Sequence, residues 1–91
     1  MSTATLYYSD KCPDTPAFLA ALASYDLKYH SINITDSMPN LKKFLSLRDN
    51  RPEFDKKKVL GQVGVPVLET EEGALIFDEA ALKDHYHMKG V

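Results

Sequence analysis

The chain has 91 residues, 44% of them hydrophobic and 26% charged, with a formal net charge of −2. That length admits one domain, residues 1–91, with a modest core, and the composition is that of a soluble globular protein. No apolar run approaches the length that crosses a bilayer. The N-terminal Met1-Ser2-Thr3-Ala4-Thr5 shows neither the basic flank nor the apolar stretch of a secretion signal. An acidic balance with no basic stripe interleaved with aromatics argues against nucleic-acid binding. One cysteine makes no internal disulfide, and an unstapled fold suits a reducing compartment, expected to be the cytoplasm. Charge is unevenly placed: seven bases against three acids from Lys42 to Lys58, and five acids without a base from Glu69 to Glu79. The basic stretch can draw in a small anion or can simply be a solvated helix face.

Thr3-Ala4-Thr5-Leu6-Tyr7-Tyr8 is β-branched and aromatic and reads as a strand. Ser9 to Asp14 is a turn. From Pro13 to about Ser24, Phe18, Leu19 and Leu22 have helical spacing, with Pro13 tolerated in the first turn because its missing N–H removes no helical bond. Leu27 to Ile34 alternates with period two, a second strand. Asp36 or Ser37 caps a second helix with Pro39 in its first turn and Leu41, Phe44 and Leu45 inward. Asp49-Asn50-Arg51-Pro52 ends it. A third helix runs from Pro52 to Leu60, stopped by Gly61, with Lys56, Lys57 and Lys58 favourably near its negative end. Val63 to Glu69 and Ala74 to Phe77 form a hairpin around the polar turn Thr70–Gly73. Asp78 caps a last helix with Ala81, Leu82 and His85 inward. The order is β-α-β-α-(α)-β-β-α. It predicts an α/β fold with a four-stranded mixed sheet, two parallel strands joined by a right-handed crossover, and helices on both faces.

Chemistry is expected at Cys12, after the first strand and before the first helix. There the unpaired N–H groups and the dipole favour negative charge, and a thiol of ordinary pKa about 8.5 typically drops to about 3.5–7.5. Lys11 adds to the effect. The alternative is a small inert core cysteine, against which the polar neighbours Asp10, Lys11 and Asp14 argue. Val65-Pro66 is the second anchor. A proline in an apolar strand marks either a trans strand start, the plainer reading of the residues, or a cis bond facing a ligand. His85 and His87, two apart, do not share a helix face and make a poor metal pair. His30, in a strand, reads as structural.

Cys12-Pro13-Asp14-Thr15 after a first strand resembles the Cys-Pro-x-Cys site of glutaredoxins. Val63-Gly64-Val65-Pro66-Val67-Leu68 resembles their Thr-Val-Pro or Gly-Ile-Pro segment, in which the proline is cis. Phe77-Asp78-Glu79 falls where those proteins open their last helix with an acid. The element order matches over nearly the whole chain, and the longer 41–60 segment resembles a bacterial group described as glutaredoxin-related. The resemblance implies a thioredoxin-like fold and glutathione as co-substrate, with no metal. It implies glutathione contacts at Val65 and Pro66, at Asp78 and Glu79 with their N–H groups, and at Lys11. One of Lys42, Lys43, Arg48 or Arg51 is expected to join Lys11 on the glycyl carboxylate.

This chain departs from the pattern in several places. Thr15 replaces the second cysteine, Ser9 and Asp10 stand where a base is common, and Ile76-Phe77 replaces a Gly-Gly. Asp10 and Asp14 set negative charge beside the thiol, which opposes its ionisation. With one thiol only a monothiol route is open: Cys12 takes glutathione from a glutathionylated protein and a second glutathione clears it. Thr15 either donates a hydrogen bond to the thiolate or merely fills the helix, and Asp14 is a first-turn residue favoured by the dipole. Two alternatives stay open: a redox-inactive thioredoxin-fold module that binds a protein partner, and a holder of a glutathione-ligated iron–sulfur cluster.

Overall fold

The structure, a computed structural model, describes residues 3–25 and 27–89. In chain order it contains β1 (Ala4–Tyr8), α1 (Thr15–Ala23), β2 (Tyr29–Asn33), α2 (Met38–Asn50), a 3-10 turn (Pro52–Phe54), α3 (Asp55–Val59), β3 (Val67–Glu69), β4 (Leu75–Ile76) and α4 (Glu79–Lys89). The sheet order is β2-β1-β3-β4. β1 runs parallel to β2, with Ala4 opposite Tyr29 and Tyr8 opposite Asn33. It is antiparallel to β3, with Leu6 opposite Leu68, and β3 is antiparallel to β4, with Leu68 opposite Ile76. This is the four-stranded mixed sheet the element order predicts.

Alternation along the strands makes two cores, because successive side chains leave a strand on opposite faces. Leu6 and Leu68 join Phe18 and Leu22 of α1 and Leu82 of α4 on one face. Tyr7 and Val67 join Phe44 of α2, Phe54 and Ile34 on the other. Phe54 meets Phe44 and Phe77 edge-on, with ring centroids 5.8 and 5.0 Å away. Helices therefore cover both faces, as the hydrophobic spacing requires.

Around the thiol and the proline, two boundaries and one peptide bond differ from the sequence reading. α1 begins at Thr15, so Pro13 lies in the preceding turn and Pro16 occupies the first helical turn. The bonds Cys12 N–H to Ser9 O (3.1 Å) and Thr15 N–H to Cys12 O (3.2 Å) fold residues 9–15 into two tight turns first. β3 begins only at Val67, because Gly64 at φ +104° takes the chain out of the strand region and Pro66 has no N–H for a ladder. Val65–Pro66 is cis; the trans strand start that the residues alone favour is thereby corrected, in keeping with the resemblance. The caps are as expected. The Ser37 side chain accepts from Asn40 N–H, and Asp78 Oδ1 accepts from Ala81 N–H at 2.7 Å.

The hairpin turn is closed by Thr70 N–H to Ala74 O (2.8 Å) and Gly73 N–H to Thr70 O (2.9 Å). Arg51 braces it from outside, donating to the Gly73 carbonyl at 2.8 Å and to Glu53 at 2.7 and 3.2 Å. The Arg51 hydrogen bond first, then the Glu53 backbone N–H and the Arg51 charge, outweigh desolvation and hold the Glu53 carboxyl below its usual range. No helix among the described residues is long and apolar enough to cross a membrane.

Candidate functional site

A groove of about 830 Å³ opens at the carboxyl end of β1. Its walls are the turn before α1, the start of α1, the 62–66 segment, the β2–α2 junction, Lys57 of α3 and the start of α4. Cys12 is half-buried in its wall and carries a free thiol. The Sγ–H faces the Val65 carbonyl oxygen across the groove, 3.6 Å away. Fifty-three positions of sequence separate these two atoms, and the fold brings them together because β1 and β3 are neighbours.

Of the residues singled out from sequence, Lys11, Cys12, Asp14, Val65, Pro66, Asp78 and Glu79 all line this groove. Pro13 and Thr15 do not. Pro13 is exposed in the turn, whereas Thr15 is buried beneath it. The Thr15 hydroxyl donates to the Ser9 carbonyl at 2.7 Å, so its proton is directed there and not to the Cys12 sulfur. Asp10 is also absent from the groove lining. Its carboxylate accepts from Asn33 Nδ2 and Thr35 Oγ1, both at 3.2 Å. The Asn33 bond above all, with the Lys11 charge and the Thr35 hydroxyl, outweighs desolvation and holds the Asp10 carboxyl below its usual range. Of the two acids expected beside the thiol, Asp14 is the one that shares its groove.

The N–H groups near the thiol are fewer than the position before a helix suggests. Pro13 and Pro16 have none. Those of Cys12 and Thr15 are donated to Ser9 O and Cys12 O. Within residues 12–16 only Asp14 keeps an N–H outside these bonds. At the opposite wall the Asp78 carboxylate itself caps α4 through the Ala81 N–H.

The basic residues resolve differently from expectation. None of Lys42, Lys43, Arg48 or Arg51 lines the groove; Lys57 does. Arg48 donates to the Gln62 carbonyl at 2.9 Å and so ties α2 to the segment leading to Val65. Arg51 is occupied by Glu53 and Gly73. Lys57 Nζ sits 5.2 Å from the Phe77 ring centroid, a cation–π approach at the groove wall. Its sequence signal, the middle of Lys56-Lys57-Lys58, is shared with two neighbours that do not line the groove. Ser9 is a second residue the sequence does not flag; it is buried and bonded on every side of the Cys12 turn.

Among the described residues no three His, Cys, Asp or Glu side chains gather as a metal group. His85 Nε2 lies 3.9 Å from Glu72, the exposed His30 lies on β2, an edge of the sheet, and the His87 side chain falls outside the described residues.

No family model matches the chain. An uncharacterized protein of Haemophilus influenzae is 41% identical over 83 residues, which cover 91% of this chain and 96% of that one. The chain belongs to the family of that protein. Solved structures share the fold of this chain. The glutaredoxin of Archaeoglobus fulgidus superposes with a TM-score of 0.63 at 18% identity, covering 92% of this chain and 85% of the other. A structural-genomics target from X. campestris gives 0.55 at 22% identity, over 93% and 96%. A glutathione transferase homolog from sulfitobacter, solved with bound glutathione, gives 0.54 at 21% identity, over 98% of this chain and 38% of that one. The fold is thioredoxin-like, of the glutaredoxin type.

Proposed function

We propose that this protein is a monothiol thiol–disulfide oxidoreductase that acts on glutathione mixed disulfides through Cys12. The observation that carries the reading is the approach of Cys12 Sγ and the Val65 carbonyl, 3.6 Å apart across one groove. A tripeptide disulfide needs its sulfur at a nucleophile and its backbone beside polar main-chain atoms, and that pairing sets the Val65 main chain, just ahead of β3, next to the sulfur. A groove of about 830 Å³ falls within the ~300–1,000 Å³ typical of small-molecule sites. Lys57 and Lys11 supply positive charge along it for the glycyl carboxylate, and the start of α4 at Asp78 and Glu79 lies where the γ-glutamyl end would reach.

The Cys12 thiolate attacks the glutathione sulfur of a protein–glutathione disulfide. A Cys12–glutathione disulfide forms, and the protein leaves as its thiolate and takes up a proton. A second glutathione thiolate then attacks the bound glutathione sulfur, giving oxidised glutathione and regenerating Cys12. One free glutathione is oxidised per cycle, and the other half of the oxidised glutathione comes from the substrate, so no second protein thiol is needed. A reducing compartment such as the cytoplasm, where glutathione is kept reduced, suits this cycle.

The test is mass spectrometry after treatment with oxidised glutathione, wild type against Cys12→Ser. A single glutathione adduct, absent in the variant, is expected. No adduct on the wild type refutes the reading. One observation favours a second one: with Cys12 and Thr15 N–H groups already bonded and prolines at 13 and 16, few donors remain for a thiolate. A groove used to hold a protein partner without redox chemistry is the reading that an absent adduct would leave standing.

A further inference from the structure

Ser9 and Thr15 are two of the three buried polar residues among those described, 5% and 4% exposed, and they flank Cys12 three positions to either side. The Ser9 carbonyl accepts the Thr15 hydroxyl at 2.7 Å and the Cys12 N–H at 3.1 Å. A carbonyl oxygen has two lone pairs, so this one is fully used. The Cys12 carbonyl in turn accepts the Thr15 N–H, which leaves the cysteine backbone bonded at both of its polar atoms. On the other side, Ser9 Oγ accepts the Lys11 N–H at 3.1 Å and lies 3.0 Å from Thr35 Oγ1. Thr35 has one hydroxyl proton and two acceptors in reach, Asn33 Oδ1 at 2.9 Å and Asp10 Oδ1 at 3.2 Å. Either hydroxyl can be the donor in the Ser9–Thr35 pair. The turn carrying the thiol is thus pinned between α1 and the β2–α2 junction.

We propose that Thr15 is a positioning residue for Cys12: its buried hydroxyl, seated on the Ser9 carbonyl, fixes the turn that presents Sγ to the groove. This rests on the reading of Cys12 as the reacting group. Without the hydroxyl, a buried carbonyl is left half-satisfied, a costly state in a low-dielectric interior. The turn then shifts to find another donor and carries the sulfur with it. Reactivity at a positioned group is sensitive to displacements on the ångström scale.

The experiment is alkylation of Cys12 by iodoacetamide, measured as a rate across pH, in wild type, Thr15→Val, Thr15→Ala and Thr15→Ser. The thiolate displaces iodide to form the carbon–sulfur bond, so no glutathione is involved, and the result is separable from the adduct test above. Valine keeps the shape of threonine and removes the donor; serine keeps the donor. The valine and alanine variants are expected to react at a rate changed about fivefold, with the rate-against-pH curve displaced. Serine is expected to restore the wild-type curve. A merely structural hydroxyl would lower the melting temperature of the valine and alanine variants but leave the curve of the folded protein where it was, and that outcome overturns the proposal. If the valine variant does not fold, the alanine–serine pair, differing by one oxygen atom, decides.

Discussion

Gly64→Ala tests how the groove wall is held. Gly64 has φ +104°, and a Cβ built on it would lie 2.9 Å from Cδ1 and 3.0 Å from Cε1 of Phe54. Phe54 cannot step aside, because it is fully buried and meets Phe44 and Phe77 edge-on. The backbone penalty of an L side chain at such a φ is about 1–3 kcal/mol, and overpacking a closed aromatic cluster adds about 1–3 kcal/mol. The reduced entropy of the unfolded alanine chain returns about 0.4–1 kcal/mol. The midpoints give a net loss of about 3 kcal/mol, which for a domain of this size lowers the melting temperature by roughly 12–24 °C. Gly61→Ala is the control. Gly61 also has positive φ, +72°, but its added Cβ meets nothing within 4 Å, so a backbone penalty of about 1–2 kcal/mol less the same entropy return applies, with no overpacking. Thermal unfolding followed by circular dichroism measures both. Equal melting temperatures for the two variants would refute the argument that Phe54 makes Gly64 necessary.

Three further outcomes follow from the site and its supports. Lys57→Gln is expected to raise the oxidised glutathione concentration for half-maximal Cys12 adduct about two- to fivefold, while Lys83→Gln, which removes an equal charge from the exposed side of α4, leaves it unchanged; equal effects from both would make Lys57 a bystander. Arg48→Met frees the Gln62 carbonyl, so amide hydrogen exchange should quicken in residues 62–65 and stay slow in β1; uniform quickening would show that Arg48 acts on the whole fold and not on this segment. The Glu53 carboxyl, held low by Arg51, binds its proton less readily folded than unfolded. Its stabilising contribution is therefore complete above the ordinary glutamate pKa of about 4.3 and fades as pH falls through the lower folded value. The melting-temperature gap between wild type and Glu53→Gln should be full above about pH 4.3 and close as pH falls below it, and a constant gap would contradict the assignment.

Element type and order were legible because each element carries its own short-range pattern. Phe18 and Leu22 recur at helical spacing, Leu6 and Tyr7 take opposite faces of the sheet, and Ser37 and Asp78 cap where their chemistry places them. The groove's membership was largely legible too, through the resemblance carried by Cys12 and Pro66. The rest depended on contacts that no local pattern records. Thr15 turns its hydroxyl to Ser9 because the 9–15 turns bring that carbonyl within reach. Lys57, and not a base of α2, lines the groove because α3 borders it and α2 does not. Arg48 and Arg51 are drawn off by carbonyls 14 and 22 positions away. A charge counted along the sequence does not reveal which partner has already claimed it.

Phe18 belongs to the core beneath α1 and α4, Ile34 to the core beneath α2, and both look into the same cleft. The cleft is therefore a seam between two separately packed half-interiors on the two faces of the sheet. A guest lodged in it would act as a keystone, clamping one half to the other. Its occupancy would register as a melting temperature that climbs with the logarithm of guest concentration.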